Sequence, residues 1–347
     1  MGDIIFVSLG MIVIDEIRFP DGKILYDVPG GSGLYSTLGA RLAVADATNR
    51  IGCLVLAGRD FPASVVNTLK GWDITLRLQQ ADDRLSTRGL LQYQGINFKD
   101  RVFKYTTTPL QPTPTDFINH PLLLRSSAFH FLASPHDLKV SIPVLRALRH
   151  NNVAPAQHLL VWEPAPASCH SKFRDEHLRA ARLVDVYSPN HSELLAVFGS
   201  LNTLPFSFDS KTIQDLALQL LHSGIGPTGQ GAVVIRCGEH GSLAVSNSYP
   251  ARWFPAFYDG SSSKVVDATG AGNSFLGALT VKLAQGADLT AAVIMGTVAA
   301  SLAIEQIGLP ERVDESETET WNGFNVQSRV EEYRAKLERD INVSRVR

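Results

Sequence analysis

The sequence predicts an α/β fold with a largely parallel sheet covered by helices. Three observations carry that prediction. Short apolar runs alternate with helical patterns along most of the 347 residues. The runs are apolar on both faces, as strands buried between helical layers must be. Turn residues bound nearly every run.

"IIFVSLG" (4–10) reads as the first buried strand and "GLYSTLGARLAVA" (33–45) as the first helix. "AFHFLAS" (128–134), "LLVWEP" (159–164), "VDVYSPN" (184–190) and "GAVVIRCG" (231–238) follow as further strands. Helical spacing predicts helices over 140–149, 174–182, 191–198 and 212–223 between them. Two segments break the rhythm. "EIRFPDGKILYDV" (16–28) reads as a hairpin turning at Asp21-Gly22, and 87–107 alternates apolar and polar residues around Gly95-Ile96-Asn97. Alternation implies one covered and one wet face, so both are expected in a small antiparallel sheet standing off the body as a lid or flap. The stretch 289–304 is apolar but shorter than the ~20 residues a membrane span needs, so a buried helix is expected. "DESETET" (314–320) reads as an acidic, solvated linker. Val326, Val330, Tyr333 and Leu337 then mark an amphipathic C-terminal helix, expected to pack on its own domain or, alternatively, to offer a protein-partner face.

With 44% hydrophobic and 19% charged residues, the chain reads as globular, and a net charge of −2 gives no case for nucleic acid or an anionic membrane. Cys53, Cys169 and Cys237 show no paired spacing, and the opening lacks a basic n-region. Reduced thiols and a cytoplasmic or nuclear location are therefore expected.

Chemistry concentrates in "VVDATGAGNSFLGALTVKLAQG" (265–286). A glycine-rich turn enters a helix near Gly272, leaving unpaired amides and a positive dipole end to receive an anion. A turn eased by glycines and capped by Asn273 is the structural alternative. "SPNHSELLAVFG" (188–199) places Asn190 and Glu193 three apart at a helix start, either as a cap or with Glu193 orienting hydrated Mg²⁺. "RCGEHGSL" (236–243) is a glycine-bounded turn suited to close approach by a nucleotide, and "GMIVID" (10–15) ends in Asp15 ahead of Gly30-Gly31. "SGIGPTGQGAVVIR" (223–236) is not a P-loop, because Gln230 stands where Lys is required and the glycines precede a strand.

In that order these motifs resemble the ribokinase or PfkB-type carbohydrate kinases over about residues 3–310, with "DATGAG-S-F" the most specific element. Asn273 and "ASLAIEQIGLP" (300–310) are similar to a fungal branch, the maintenance-of-killer type proteins. The resemblance implies a three-layer α/β/α ribokinase-like core over 1–312 with a β-lid, followed by the linker and helix of 313–347. It implies binding of ATP, Mg²⁺ and a small sugar, polyol or nucleoside. By position, Asp15, Gly30, Gly31 and Tyr35 would meet the substrate. Asn190, Glu193, Arg236, Gly238, Gly241 and Thr269 would meet the nucleotide, with 289–304 walling the adenine. Glu193 and Asp267 would reach Mg²⁺ through water. Gly270, Ala271 and Gly272 would form the anion hole beside position 273.

Three residues depart from that pattern. Asn273 stands where the family has an Asp base, Arg236 where it has Thr, and Tyr35 where sugar kinases have Asn. An amide cannot accept the substrate's proton. General base catalysis is worth ~10²–10⁴-fold, yet phosphoryl transfer rests mostly on positioning and charge. Slow transfer, raised by Asn273→Asp, is therefore expected. A pseudokinase that binds nucleotide or sugar and acts through contacts is the alternative. The lid could also pair two subunits.

Overall fold

The computed structural model describes residues 3–94, 100–152, 154, 158–200, 208–314 and 318–346. Its main sheet contains nine strands. They are β1 (Phe6–Ser8), β4 (Ile51–Gly58), β5 (Thr75–Ala81), β8 (Ala128–Ala133), β9 (Leu159–Pro164), β10 (Val186–Tyr187), β11 (Ala232–Arg236), β12 (Ser242–Ser246) and β13 (Tyr249–Phe254). Their order is β13-β12-β11-β10-β9-β8-β1-β4-β5. All neighbours pair in parallel except β11-β12 and β12-β13, where a short turn allows a meander instead of a crossover.

Helices cover both faces. One is lined by α1 (Ser32–Leu42), α2 (Ala63–Lys70), α8 (Ala271–Ala284), α9 (Leu289–Ala303) and α10 (Val326–Val346). The other is lined by α3 (Pro121–Leu124), α4 (Pro135–Asn151), α5 (Arg174–Ala181), α6 (His191–Phe198) and α7 (Ser210–His222). Each face has its own apolar core, so the body is three layered. The segment 289–304 is a helix buried along most of its length, and no helix among the described residues is long and apolar enough to cross a membrane.

Above the body stands a second sheet, β3-β2-β6-β7, built from β2 (Val13–Arg18), β3 (Ile24–Gly30), β6 (Arg88–Gln94) and β7 (Asp100–Tyr105). It is mixed rather than antiparallel. The hairpin pairs β2-β3 and β6-β7 are antiparallel, but β2 and β6 run in parallel, with Ile14 opposite Arg88. The reason is topological: β2 and β6 each follow a strand of the parallel core, β1 and β5, so both first arms rise in one direction. The expected turn at Gly95-Ile96-Asn97 lies outside the described residues, as do Glu315–Glu317 of the acidic stretch. What is described of that stretch is not simply solvated. Glu319 pairs with the buried Arg41, and Trp321, which follows the stretch directly, is fully buried.

Two glycines set the height of the site. An added Cβ at Gly39 of α1 would lie 1.9 Å from the Ser274 carbonyl oxygen, and one at Gly277 of α8 would lie 1.8 Å from that of Ser36. Only bare backbone lets α1 and α8 meet this closely. That contact anchors the first turn of α8, where the conspicuous sequence motif sits.

Candidate active site

The turn before α8 is stiff. The Asp267 carboxylate accepts from the Thr269 amide at 3.0 Å and its hydroxyl at 2.8 Å. Gly270 then takes φ 77°, with the Tyr35 ring packed so closely that a Cβ would fall 2.2 Å from it. The Ala271 amide reaches the Ala268 carbonyl only at 3.4 Å, while the Ser274 amide bonds Gly270 at 2.9 Å. Among the described hydrogen bonds, the Gly272 and Asn273 amides have no acceptor. They form the donor tip of the helix.

Beneath that tip lies a polar network that crosses the sheet. Asn273 donates through Nδ2 to Glu163 Oε2 at 2.5 Å; a carboxylate partner requires the amide nitrogen, not its oxygen, on this side. Arg236 Nη1 meets the other Glu163 oxygen at 2.8 Å, and Nη2 donates to the Ser188 carbonyl at 3.0 Å and stands 3.5 Å from Glu193. His130 Nε2 lies 3.4 Å from Glu163, with Ser8 bonded to its Nδ1 at 3.0 Å. Burial pushes the Glu163 carboxyl up, but Arg236 and His130 together outweigh it and hold the group below the usual carboxylate range. Glu193 has no such surplus of cations. Burial, joined by the Glu163 charge and only partly offset by Arg236, raises it to about 7. Asn190 and Glu193 complete a capping box, each side chain bonding the other's amide at 2.8 Å.

On the lid side, Asp15 projects between Gly30 and Gly89, beside the Phe103 ring. It is 8% exposed, its Oδ1 has no partner among the described residues, and burial raises its pKa to about 7. An orphan acceptor of this kind suits a ligand hydroxyl. Gly31 takes φ 90° at the start of α1. Tyr35 is a support rather than an open contact: it is buried, and its hydroxyl donates to the Gly308 carbonyl at 3.2 Å. Arg101, on β7, reaches from the lid to the turn, bonding Asp267 at 2.7 Å and Thr269 Oγ1 at 2.6 Å. Lid and anion tip are thereby latched together.

A cavity of about 510 Å³ opens beside the tip. Its lining includes Arg236, the Ala271 and Gly272 backbone, Gly238 and Gly241, together with Phe257, Phe275, Thr297, Ala300 and Ile304. That combination of apolar side chains with a guanidinium and helix-tip amides suits a ligand with a flat base and an anionic group. The pfkB family carbohydrate kinase model matches residues 6–315. The chain belongs to the pfkB carbohydrate kinase family. Protein MAK32 of Saccharomyces cerevisiae is 31% identical over 97% of this chain and 94% of its own length. A Schizosaccharomyces pombe protein is 30% identical over 95% and 93%. Ribokinase from Giardia lamblia shares the fold at a TM-score of 0.69 and 17% identity, covering 89% of this chain and 94% of that one.

The donor set of this PfkB chain does not fit the divalent cation that the family resemblance implies. Asp267 Oδ1 is engaged by Arg101 and by two donors of Thr269, and Glu193 faces Arg236 and its own cap amide. The Arg236 guanidinium already neutralises the carboxylates that would otherwise attract a divalent ion, and would itself repel it. Among the described residues no cluster of three or more metal-ligating side chains occurs.

Two features of the site escaped the sequence reading. Glu163 and His130 were passed over inside buried strands, although a lone carboxylate closing the apolar run "LLVWEP" was a usable signal, because an unpaired buried charge is rarely tolerated. The direction in which Arg236 points is not written in its local sequence either. The structure turns it inward, with its side chain 12% exposed.

Proposed function

We propose that this PfkB protein binds ATP in the cavity beside α8 and a small sugar, polyol or nucleoside on Asp15 under the lid. Phosphoryl transfer between them is slow. The adenine lies in the slot walled by α9, and the γ-phosphate lies on the Gly272 and Asn273 amides. Asp15 takes a substrate hydroxyl, with Gly30 and Gly31 giving room beside it. Gly238, Gly241 and Arg236 border the nucleotide, and Thr269 and Asp267 serve indirectly, by holding the turn and the lid latch.

The observation that carries this reading is the bond from Asn273 to Glu163. The base position holds an amide whose nitrogen is already committed, while the anion tip above it is open. Binding energy and positioning are retained, and a proton acceptor is missing. The cost expected is that of general base catalysis, ~10²–10⁴-fold in rate, or roughly 3–5 kcal/mol of barrier. A binding-only pseudokinase is the second reading, favoured by the same committed amide.

A thermal-shift panel of ATP with sugars, polyols and nucleosides, with and without Mg²⁺, followed by mass spectrometry, tests the proposal. Stabilisation by ATP and by one hydroxyl ligand, with slowly accumulating phosphorylated product, is expected. Stabilisation without product gives the second reading. No stabilisation by any ligand overturns both.

A further inference from the structure

The chain brings its own cation to the phosphate site, and that cation stands where the acidic residues would otherwise meet a metal. Arg236 leaves the end of β11 and passes under the first turn of α8. An added Cβ at Gly272 would fall 2.2 Å from its Nη1, so the guanidinium lies directly against the backbone whose amides form the anion tip. Glu163 and the Ser188 carbonyl hold two of its nitrogens from the sheet side. Its Nε is buried and has no hydrogen-bond partner among the described residues. Arg236 and Gly272 line the same cavity. A phosphate seated on the Gly272 and Asn273 amides would therefore meet a pre-oriented, always charged donor.

We propose that Arg236 takes the place of a divalent cation, so that this site binds a nucleoside triphosphate as the metal-free anion. The inference rests on the nucleotide-binding reading above. Asp267 on the turn is paired with Arg101 at 2.7 Å, and Glu163 and Glu193 already face the Arg236 guanidinium, at 2.8 and 3.5 Å. A metal would have to displace it. Because the metal-bound nucleotide carries less charge for Arg236 to meet and a cation that the guanidinium repels, Mg²⁺ acts here as a competitor for free ATP.

Calorimetric titration of the full chain with ATP in EDTA, and again in excess MgCl₂, decides the matter. The expected result is binding in EDTA at least as tight as in MgCl₂. Arg236→Thr, checked for native circular dichroism, is expected to weaken binding in EDTA about 10-fold or more, the range of a charge-assisted hydrogen bond. In that variant MgCl₂ should recover affinity, because Glu163 and Glu193 are then free of the guanidinium. Arg236→Lys retains the charge and should keep part of the metal-free affinity. Wild-type binding that is 10-fold or more tighter in MgCl₂ overturns the inference and leaves the nucleotide-binding reading standing. Absence of ATP binding in both media overturns the two together.

Discussion

At the scale of single residues, Glu163 changes what a repair of position 273 would do. Asn273→Asp would set a second carboxylate against Glu163 at the present 2.5 Å contact. Two carboxylates at that distance share a proton, which takes the restored base out of service near neutral pH. The single variant is therefore expected to stay within a few-fold of the wild-type rate. Combining it with Glu163→Gln keeps the net charge and reverses the hydrogen bond. Phosphoryl transfer to the substrate found in the panel should then rise by ~10²–10⁴-fold, measured as product by mass spectrometry.

Asp15 gives a second prediction. Burial lifts the pKa of its carboxyl in the folded state to about 7, above the ordinary aspartate value of 3.8. The folded state thus holds the proton that the unfolded state has lost, so the contribution to stability is full below about 3.8 and is lost as pH rises toward 7. The slope for one group approaches about 1.4 kcal/mol per pH unit within that window. Denaturant titrations from pH 4 to 7.5 should show Asp15→Asn removing this slope. A hydroxyl ligand, by donating to the carboxylate, should bind more tightly as pH passes 7, and this trend should vanish in the same variant.

How legible these residues were follows from how local their evidence is. "DATGAG" could be read because a turn into a helix is written in consecutive residues. Asn190 and Glu193 could be read for the same reason, and the structure places them in a capping box. Glu163 acts on a residue 110 positions away, and no local pattern marks that bond.

At the scale of elements, the site depends on how closely α1 and α8 approach. Gly277→Ala would drive a methyl into the Ser36 carbonyl at 1.8 Å. Overpacking of this kind is expected to cost ~1–3 kcal/mol, read from denaturant unfolding, and to weaken ATP binding by moving the α8 tip. The lid offers a contrasting case. Its latch includes an ion pair from Arg101 to Asp267, the arginine one-third exposed. Arg101→Ala should leave global stability within about 1 kcal/mol, yet speed amide exchange over 88–94 and 101–105 and hasten ligand release. The strands of the lid were visible as alternating patterns, but their pairing was not. Alternation fixes which face of a strand is buried and carries no information on which partner it runs beside.

At the scale of the whole molecule, α10 belongs to the core. Val330, Tyr333 and Leu337 are buried in the cluster shared with α8 and α9. Tyr333 donates to the Pro255 carbonyl at 2.5 Å and Lys336 to that of Ala256 at 2.8 Å, which braces the loop that borders the nucleotide cavity. Deleting residues after 325 exposes that cluster. At ~1.5–3 kcal/mol per large apolar side chain, the loss approaches the whole stability of a typical domain. The truncated chain should therefore be insoluble or melt far below the parent, as measured by calorimetry. The amphipathic spacing of 326–337 was readable and pointed to packing on its own domain, which the buried Val330, Tyr333 and Leu337 bear out, while the elements it packs against were set by tertiary packing alone.

The account rests on a site that binds its ligands and lacks a base. The rate of phosphorylated-product formation at saturating ATP and ligand tests that most directly. Family kinases with an intact base are expected at about 1–100 s⁻¹. The wild-type chain should turn over well below about 1 s⁻¹ and gain its rate only with Asn273→Asp and Glu163→Gln together. A wild-type rate within the ordinary kinase range would contradict it.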